Sequence, residues 1–180
     1  MEEKVIMAGF GGQGVMAIGK LLAYAGMLEN KQVTWLPSYG PEMRGGTANC
    51  AVVVSDEMIG SPVISKDGSA AIIMNLPSLT KFEGEILSGG KLIINKSLIE
   101  DKPSRNDIDA YYVPANEIAA ELGNGKVANM IMLGAYLELT KVVEVESVLN
   151  AFVKVFGENK SHLVPLNKEA LLKGAEAVRK

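Results

Sequence analysis

The chain has little with which to do chemistry alone. Its single cysteine, Cys50, leaves no partner for an intrachain disulfide, a cysteine-only zinc site or an iron–sulfur cluster held by this chain alone. The single histidine, His162, stands in the polar connection Asn159-Lys160-Ser161-His162, where an imidazole reads as a solvated surface group. No Ser–His–Asp or Cys–His pairing is indicated, and no carboxylate cluster has metal-ligand spacing. Lys and Arg number 18 against 21 Asp and Glu, for a net charge of −3, and no basic stripe gathers them, which argues against nucleic acid as a partner. No window reaches the ~18 uninterrupted apolar residues of a membrane span. Met1-Glu2-Glu3-Lys4 runs straight into an apolar strand, with no signal peptide. The expectation is a soluble, cytoplasmic binding domain rather than a complete enzyme.

What is present is 48% apolar residues over 180 positions, enough for one globular domain spanning 1–180. A chain of this length buries on the order of 70% of the surface that unfolding exposes. The organising stretch is Gly9-Phe10-Gly11-Gly12-Gln13-Gly14, between the apolar strand Val5-Ile6-Met7-Ala8 and the apolar run Val15-Met16-Ala17-Ile18 that starts a helix reaching about Leu28. Glycines 9, 11 and 14 keep the G-x-G-x-x-G spacing of a nucleotide-binding turn. Such a turn lets backbone N–H groups approach a phosphate and aims the positive end of the next helix at it. The same residues also suit a tight strand-to-helix turn that holds nothing. A Rossmann dinucleotide site further asks for an acidic residue at the end of the second strand. Here Val33-Thr34-Trp35-Leu36 runs into Pro37-Ser38-Tyr39, and Glu42 lies beyond two prolines. That disfavours a nicotinamide or flavin dinucleotide.

The second informative stretch is Ser38-Tyr39-Gly40-Pro41-Glu42-Met43-Arg44-Gly45-Gly46-Thr47. Prolines stiffen it, glycines give it unusual backbone freedom, and its position after the second strand puts it at the same sheet end as the glycine turn. Arg44 either meets a phosphate, with Ser38 and Tyr39 donating hydrogen bonds, or pairs with Glu42 and holds the loop.

The remaining pattern alternates strands and helices. Residues 47–54 read as a buried strand with 58–63 as its antiparallel hairpin partner, so a mixed sheet is expected. Further strands are expected at 70–75, at 91–95 after a Gly89-Gly90 turn, and at 111–113, with short helices over 77–82 and 116–122 and a surface loop at 100–109. This is an α/β, Rossmann-like three-layer domain with a mostly parallel sheet and an antiparallel hairpin addition. Cys50 reads as a small core hydrophobe. The helix over 126–141 is apolar on all faces, which implies a central core helix or a subunit interface. Within it Gly134 leaves room for another backbone, and the amide of Asn129 calls for a loop or a ligand as hydrogen-bond partner. An amphipathic helix over 144–156 closes at Gly157, and Asn167 is expected to cap a last helix over 168–178.

Together, Gly-x-Gly-Gly-Gln-Gly at 9–14 and Ser-Tyr-Gly-Pro-Glu-x-Arg-Gly-Gly at 38–46 resemble the gamma subunit of 2-oxoacid:ferredoxin (acceptor) oxidoreductases. The similarity continues through residues 129–134 and covers nearly the whole chain. The resemblance implies a subunit, inactive alone, of a multi-subunit enzyme of the pyruvate, 2-oxoglutarate or 2-ketoisovalerate type. Such enzymes convert a 2-oxoacid, coenzyme A and oxidised ferredoxin into acyl-CoA, carbon dioxide and reduced ferredoxin. It implies thiamine diphosphate and magnesium between alpha and beta subunits, and iron–sulfur clusters on a ferredoxin-like delta subunit or domain. The gamma domain is associated with coenzyme A binding and assembly. On that reading the site comprises Gly9, Gly11, Gly12, Gln13, Gly14, Ser38, Tyr39, Arg44, Gly45 and Gly46, with no catalytic residue and no metal on this chain. The phosphates of coenzyme A suit a glycine turn and an arginine, and its 3′-phosphate removes the need for a ribose-binding acid. Among 2-oxoglutarate, branched-chain oxoacids and pyruvate, the compact chain leans slightly to 2-oxoglutarate. A homodimer of the isolated chain through its apolar helices is compatible with this composition. Two other readings stay open: a stand-alone nucleotide-binding oxidoreductase, and a structural subunit whose glycine turn is empty.

Overall fold

The computed structural model describes residues 1–38 and 47–179. Its frame is a six-stranded sheet in the order β2-β3-β1-β4-β5-β6. The strands are β1 (Glu2–Phe10), β2 (Gln32–Ser38), β3 (Thr47–Ser55), β4 (Gly68–Ile73), β5 (Ile86–Asn95) and β6 (Asp109–Val113). All run in one direction except β3, which is antiparallel to β1 on one side and to β2 on the other. The sheet is therefore mostly parallel with one reversed strand, the α/β class expected from the alternation. Central strands covered on both faces read as continuous apolar runs, and Val5, Ile6, Met7 and Ala8 are all buried.

Alternation along the strands sorts side chains into two cores. Val5, Met7, Cys50, Val52 and Ile72 face the helices α1 (Val15–Leu28), α4 (Ala128–Thr140) and α5 (Val145–Phe156). Ile6, Ala8, Ala71, Ile73 and Leu92 face α2 (Leu76–Phe82) together with Ile99 and Ile108 of the segment before β6. The helices α3 (Ala115–Glu121) and α6 (Val164–Val178) complete the first layer. Crossovers between parallel strands are right-handed. The chain moves one way from β1 to β2 and the other way from β4 to β5, so α1 and α2 fall on opposite faces.

Close approach is achieved with glycine. A Cβ on Gly19 of α1 would lie 2.4 Å from the sulfur of Cys50, and one on Gly26 would lie 2.6 Å from Val33, so this helix lies tight on β2 and β3. Cys50 is buried, and burial pushes its thiol up to about 12 against the opposing indole of Trp35. It is an inert core group, as its sequence context suggests. The all-round apolar α4 is a core helix of this chain: a Cβ on Gly134 would lie 2.0 Å from the carbonyl oxygen of Leu171, and one on Gly174 would lie 1.8 Å from that of Ile131. The backbone for which Gly134 leaves room belongs to α6.

Three local expectations are corrected. The antiparallel hairpin is β2–β3, and residues 58–63 form no strand; Met58 is 91% exposed. β3 already has a backbone partner on each side, so no edge is left for a second hairpin arm. Gly89-Gly90 lie inside β5, which starts at Ile86, and the β4–β5 register shifts there. They mark an irregularity rather than a turn, since Gly89 has φ +79 and a Cβ on Gly90 would press on Ile86 at 2.4 Å. Asn167 sits inside α6, which begins at Val164, and its Nδ2 donates to the Leu163 carbonyl at 2.9 Å instead of capping the helix. Among the described residues no helix is long and apolar enough to cross a membrane.

Candidate functional site

The chain leaves β1 for α1 in one direction and β4 for α2 in the other, so the topological switch point lies between β1 and β4. In open α/β sheets this is where ligands bind, beyond the carboxyl ends of the strands. The glycine turn sits there. Gly12 and Gly14 have φ of +91 and +78, conformations that favour glycine. A Cβ on Gly12 would meet nothing within 4 Å, whereas one on Gly14 would lie 2.3 Å from Nδ2 of Asn129.

The turn is held in shape from two sides. Oε1 of Gln13 accepts from the Phe10 N–H at 2.6 Å, and Nε2 of Gln13 donates to the Met74 carbonyl at 3.2 Å. One side chain thereby ties the end of β1 to the residue that follows β4. Gly9 makes room for it, since a Cβ there would lie 2.5 Å from Oε1 of Gln13 and 2.7 Å from Met74. From the helix side, Nδ2 of Asn129 donates to the Gly14 carbonyl at 3.2 Å while its Oδ1 accepts from the Met130 N–H at 2.9 Å. The amide in the apolar helix has its loop partner, and that loop is the glycine turn.

Two helix starts face the same space. α1 has no side-chain cap and no acidic residue in its first turn, so its first N–H groups are available to an external acceptor. α4 is preceded by one 3₁₀ turn, Gly125–Val127, in which Oδ1 of Asn124 accepts from the Lys126 N–H at 3.0 Å. Between them lies a cavity of about 390 Å³ lined by Gly12, Gln13, Gly14, Met74, Asn116, Gly125, Lys126, Ala128 and Asn129. Lys126 is exposed and makes no ion pair among the described residues. Two helix dipoles and one ammonium group give the cavity a positive field. Among the described residues no carboxylate, histidine or hydroxyl lines it. Such a lining can accept an anion.

Of the residues singled out from sequence, Gly12, Gln13 and Gly14 line this cavity, Gly11 is exposed in the same turn, and Gly9 lies within β1. Ser38 ends β2 and lines a different cavity of about 520 Å³, with Asn49 and Phe82. Tyr39, Arg44, Gly45 and Gly46 lie outside the described residues. The ends of that segment are placed: Ser38 pairs with Asn49, and Thr47 pairs with Phe10, so both ends stand at the sheet end that carries the glycine turn. Lys126 and Asn116 are the lining residues that sequence reasoning missed. The usable signal was Asn124-Gly125-Lys126 directly before a helix with no polar face.

Residues 4–177 match the family described as pyruvate ferredoxin/flavodoxin oxidoreductase. Over 179 residues the chain is 37% identical to ketoisovalerate oxidoreductase subunit VorA of Methanothermobacter marburgensis, a match covering 99% of this chain and 37% of that protein. Over 156 residues it is 35% identical to 2-oxoglutarate synthase subunit KorC of Methanocaldococcus jannaschii, covering 85% of this chain and 83% of that one. The chain thus spans little more than a third of the first relative and most of the second. Among solved structures, the gamma subunit of a keto/oxoacid ferredoxin oxidoreductase from Geobacter sulfurreducens aligns with a TM-score of 0.82, 28% identity and 97% of both chains.

Proposed function

Because the chain belongs to the pyruvate ferredoxin/flavodoxin oxidoreductase family, we propose that it serves as the gamma-type unit of a 2-oxoacid:ferredoxin oxidoreductase. Such a complex decarboxylates a 2-oxoacid oxidatively with coenzyme A and passes the electrons to ferredoxin. The part assigned to this chain is to hold the phosphate end of coenzyme A and to support assembly. One observation carries the assignment: among the described residues, the cavity at the switch point joins two helix starts, a glycine turn and Lys126 without any acidic residue.

The lining fits the group. Gly12 and Gly14 offer backbone N–H donors with open space before Gly12, and Lys126 offers charge. Gln13 and Asn129 hold the turn rather than the ligand, since their amides are engaged with backbone groups. Gly11 belongs to the same turn, and Tyr39, Arg44, Gly45 and Gly46 are assigned to the site on their sequence pattern alone. Coenzyme A, when bound, supplies the thiol that takes up the acyl group. The chemistry is assigned to partners: alpha and beta subunits with thiamine diphosphate and magnesium, and a ferredoxin-like delta subunit with iron–sulfur clusters. A cytoplasmic location goes with this reading. The oxoacid is left at the level of its class, because the relatives are named for ketoisovalerate and 2-oxoglutarate. A homodimer finds no support in α4, whose apolar circumference is covered within the chain.

Calorimetric titration of the assembled complex with coenzyme A tests the site. Loss of one charge-assisted contact is worth about 1.5 kcal/mol, hence about tenfold in affinity. Lys126→Ala is expected to weaken binding by that factor at low salt. Unchanged affinity in the variant overturns the assignment.

A further inference from the structure

The sheet ends at β2, whose outer edge has no strand beside it among the described residues. Exposed edges are ordinarily blunted with charge, because an unpaired strand is a template for another chain. This edge is uncharged. Lys20 is the one charged residue in β2 and α1 together, although 22% of the chain is charged. Its ammonium lies 6.0 Å from the centroid of the Trp35 ring.

Backbone alternation says which groups of the edge are free. Proline is tolerated in an edge strand when its ring nitrogen turns away from the ladder. Pro37 therefore faces outward, and with it the backbone of Val33 and Trp35. Lys31, of the same parity, donates its N–H to the Gly26 carbonyl at 2.9 Å rather than to β3. The free edge thus offers one N–H and one C=O from each of Val33 and Trp35. In an antiparallel pair a residue exchanges both bonds with the residue opposite. One register lets β2 pair with its own copy in full: Val33 opposite the partner's Trp35, with Thr34 on the two-fold axis. Centring on Trp35 instead puts Pro37, which has no N–H, opposite Val33. Centring on Val33 sets Trp35 against Lys31, whose N–H is engaged. Thr34 adds a second observation. Its Oγ1 is buried without a partner among the described residues, and opposed threonines in a strand pair can hydrogen-bond.

The helix layer agrees with that register. A Cβ on Gly19 would lie 2.4 Å from Cys50 of β3 and 3.2 Å from Trp35 of β2, and one on Gly26 would lie 2.6 Å from Val33 and 3.3 Å from Val54. The axis of α1 therefore follows the line between β2 and β3. Ala17 and Leu21 share a cavity with Met130 of α4 and Phe152 of α5. Met16, Lys20, Ala23 and Met27, spaced i, i+4, i+7 and i+11, form the stripe on the other side of the helix. Strands pair about 4.8 Å apart, so joining β2 to its copy brings the two α1 helices about 10 Å apart, a packing distance. Gly26 over Val33 and Gly19 beside Trp35 set Ala23 level with Thr34. The small residue then comes beside its own copy, and Met27, 54% exposed, comes beside the partner's Lys20.

We infer that β2 and α1 form the interface of a two-fold dimer of this chain, in which two sheets join through antiparallel β2 strands centred on Thr34. None of these residues lines the cavity at the glycine turn, so failure of either reading leaves the other standing.

Disulfide trapping and sedimentation of the purified full chain test the dimer. Opposed residues at a non-hydrogen-bonded position have Cα atoms about 4.5 Å apart, within the span of a disulfide. Thr34→Cys is expected to give a covalent dimer with a mild oxidant, whereas Leu36→Cys, opposite the partner's Gln32, is expected to stay uncoupled. Cys50 is buried and stays silent. Met27→Lys sets a like charge against the partner's Lys20 and is expected to shift sedimentation from dimer to monomer. Leu172→Lys, on an exposed position of α6, is expected to remain a dimer. If Thr34→Cys fails to fold, the sedimentation pair decides alone. A parent chain that sediments as a monomer overturns the inference. Equal trapping at 34 and 36, or a dimer unmoved by Met27→Lys, overturns it too. In the assembled complex, trapping of Thr34→Cys to a different subunit instead of its copy gives the edge to that subunit and overturns it as well.

Discussion

Gln13 and Asn129 carry the shape of the glycine turn between them. The turn itself was legible, because glycines at 9, 11, 12 and 14 between two apolar runs have few other uses. What Gln13 does was not legible. Its partners, Phe10 and the Met74 carbonyl, meet only once β1 and β4 pair. Asn129 was half legible, since an amide inside an apolar helix must find a partner; that the partner is Gly14 follows from packing alone. Lys126 escaped notice because a lysine at a helix start reads as a solvated charge until the fold sets it beside another helix start. Gln13→Leu removes an acceptor for Phe10 and a donor for Met74. An unpaired buried polar group costs about 1–3 kcal/mol, and the Phe10 bond is exposed. A stability loss of about 1–2 kcal/mol in urea unfolding is therefore expected. No loss would mean that the turn is held by other contacts.

The element scale is where the crossing of α4 and α6 decides stability. Added methyl groups at Gly134 or Gly174 would strike backbone atoms at 2.0 and 1.8 Å, and backbone cannot rotate aside. Overpacking typically costs about 1–3 kcal/mol. Gly134→Ala is expected at or beyond the top of that range in urea unfolding, with Gly84→Ala, where a Cβ meets nothing within 4 Å, close to neutral. The same helix pair is pinned by Glu138, which accepts from Arg179 at 2.9 and 3.1 Å and from Lys141 at 2.7 Å. Arg179, then Lys141, pull its carboxyl from 4.5 down to about 2. A depressed carboxyl contributes stability in full above its unfolded value and loses it as pH falls towards the folded one. The stability gap between the parent and Glu138→Gln is therefore expected at neutral pH and should shrink as pH falls from 4.5 to about 2. A gap that is constant across that window would remove the ion pairs from the account. Apolar runs, turn residues and periodicity in the sequence located the six α-helices to within a few residues. The same pattern misplaced the hairpin of β3 because chain order suggests pairing with the next segment, whereas β3 inserts between β1 and β2. It read Gly89-Gly90 as a turn because paired glycines usually break a strand. Here they let β5 pass close to Ser69.

Across the whole molecule, the sheet order puts one functional end on an otherwise packed domain. Right-handed crossovers in opposite directions open the switch point between β1 and β4, and the return of the chain after β6 brings Lys126, at the start of α4, to it. The overall class was legible from the alternation of strands and helices. The join between the first turn and the fourth helix was not, because it depends on how distant segments stack. We propose that this join holds coenzyme A for a 2-oxoacid:ferredoxin oxidoreductase. The most direct measurement is steady-state kinetics of the assembled complex with Lys126→Ala, taking the Michaelis constant for the 2-oxoacid as internal reference. If the join holds coenzyme A, the Michaelis constant for coenzyme A rises about tenfold in the variant, with turnover at saturating coenzyme A and the constant for the 2-oxoacid unchanged. An unchanged constant for coenzyme A, or an equal rise in both, would contradict it.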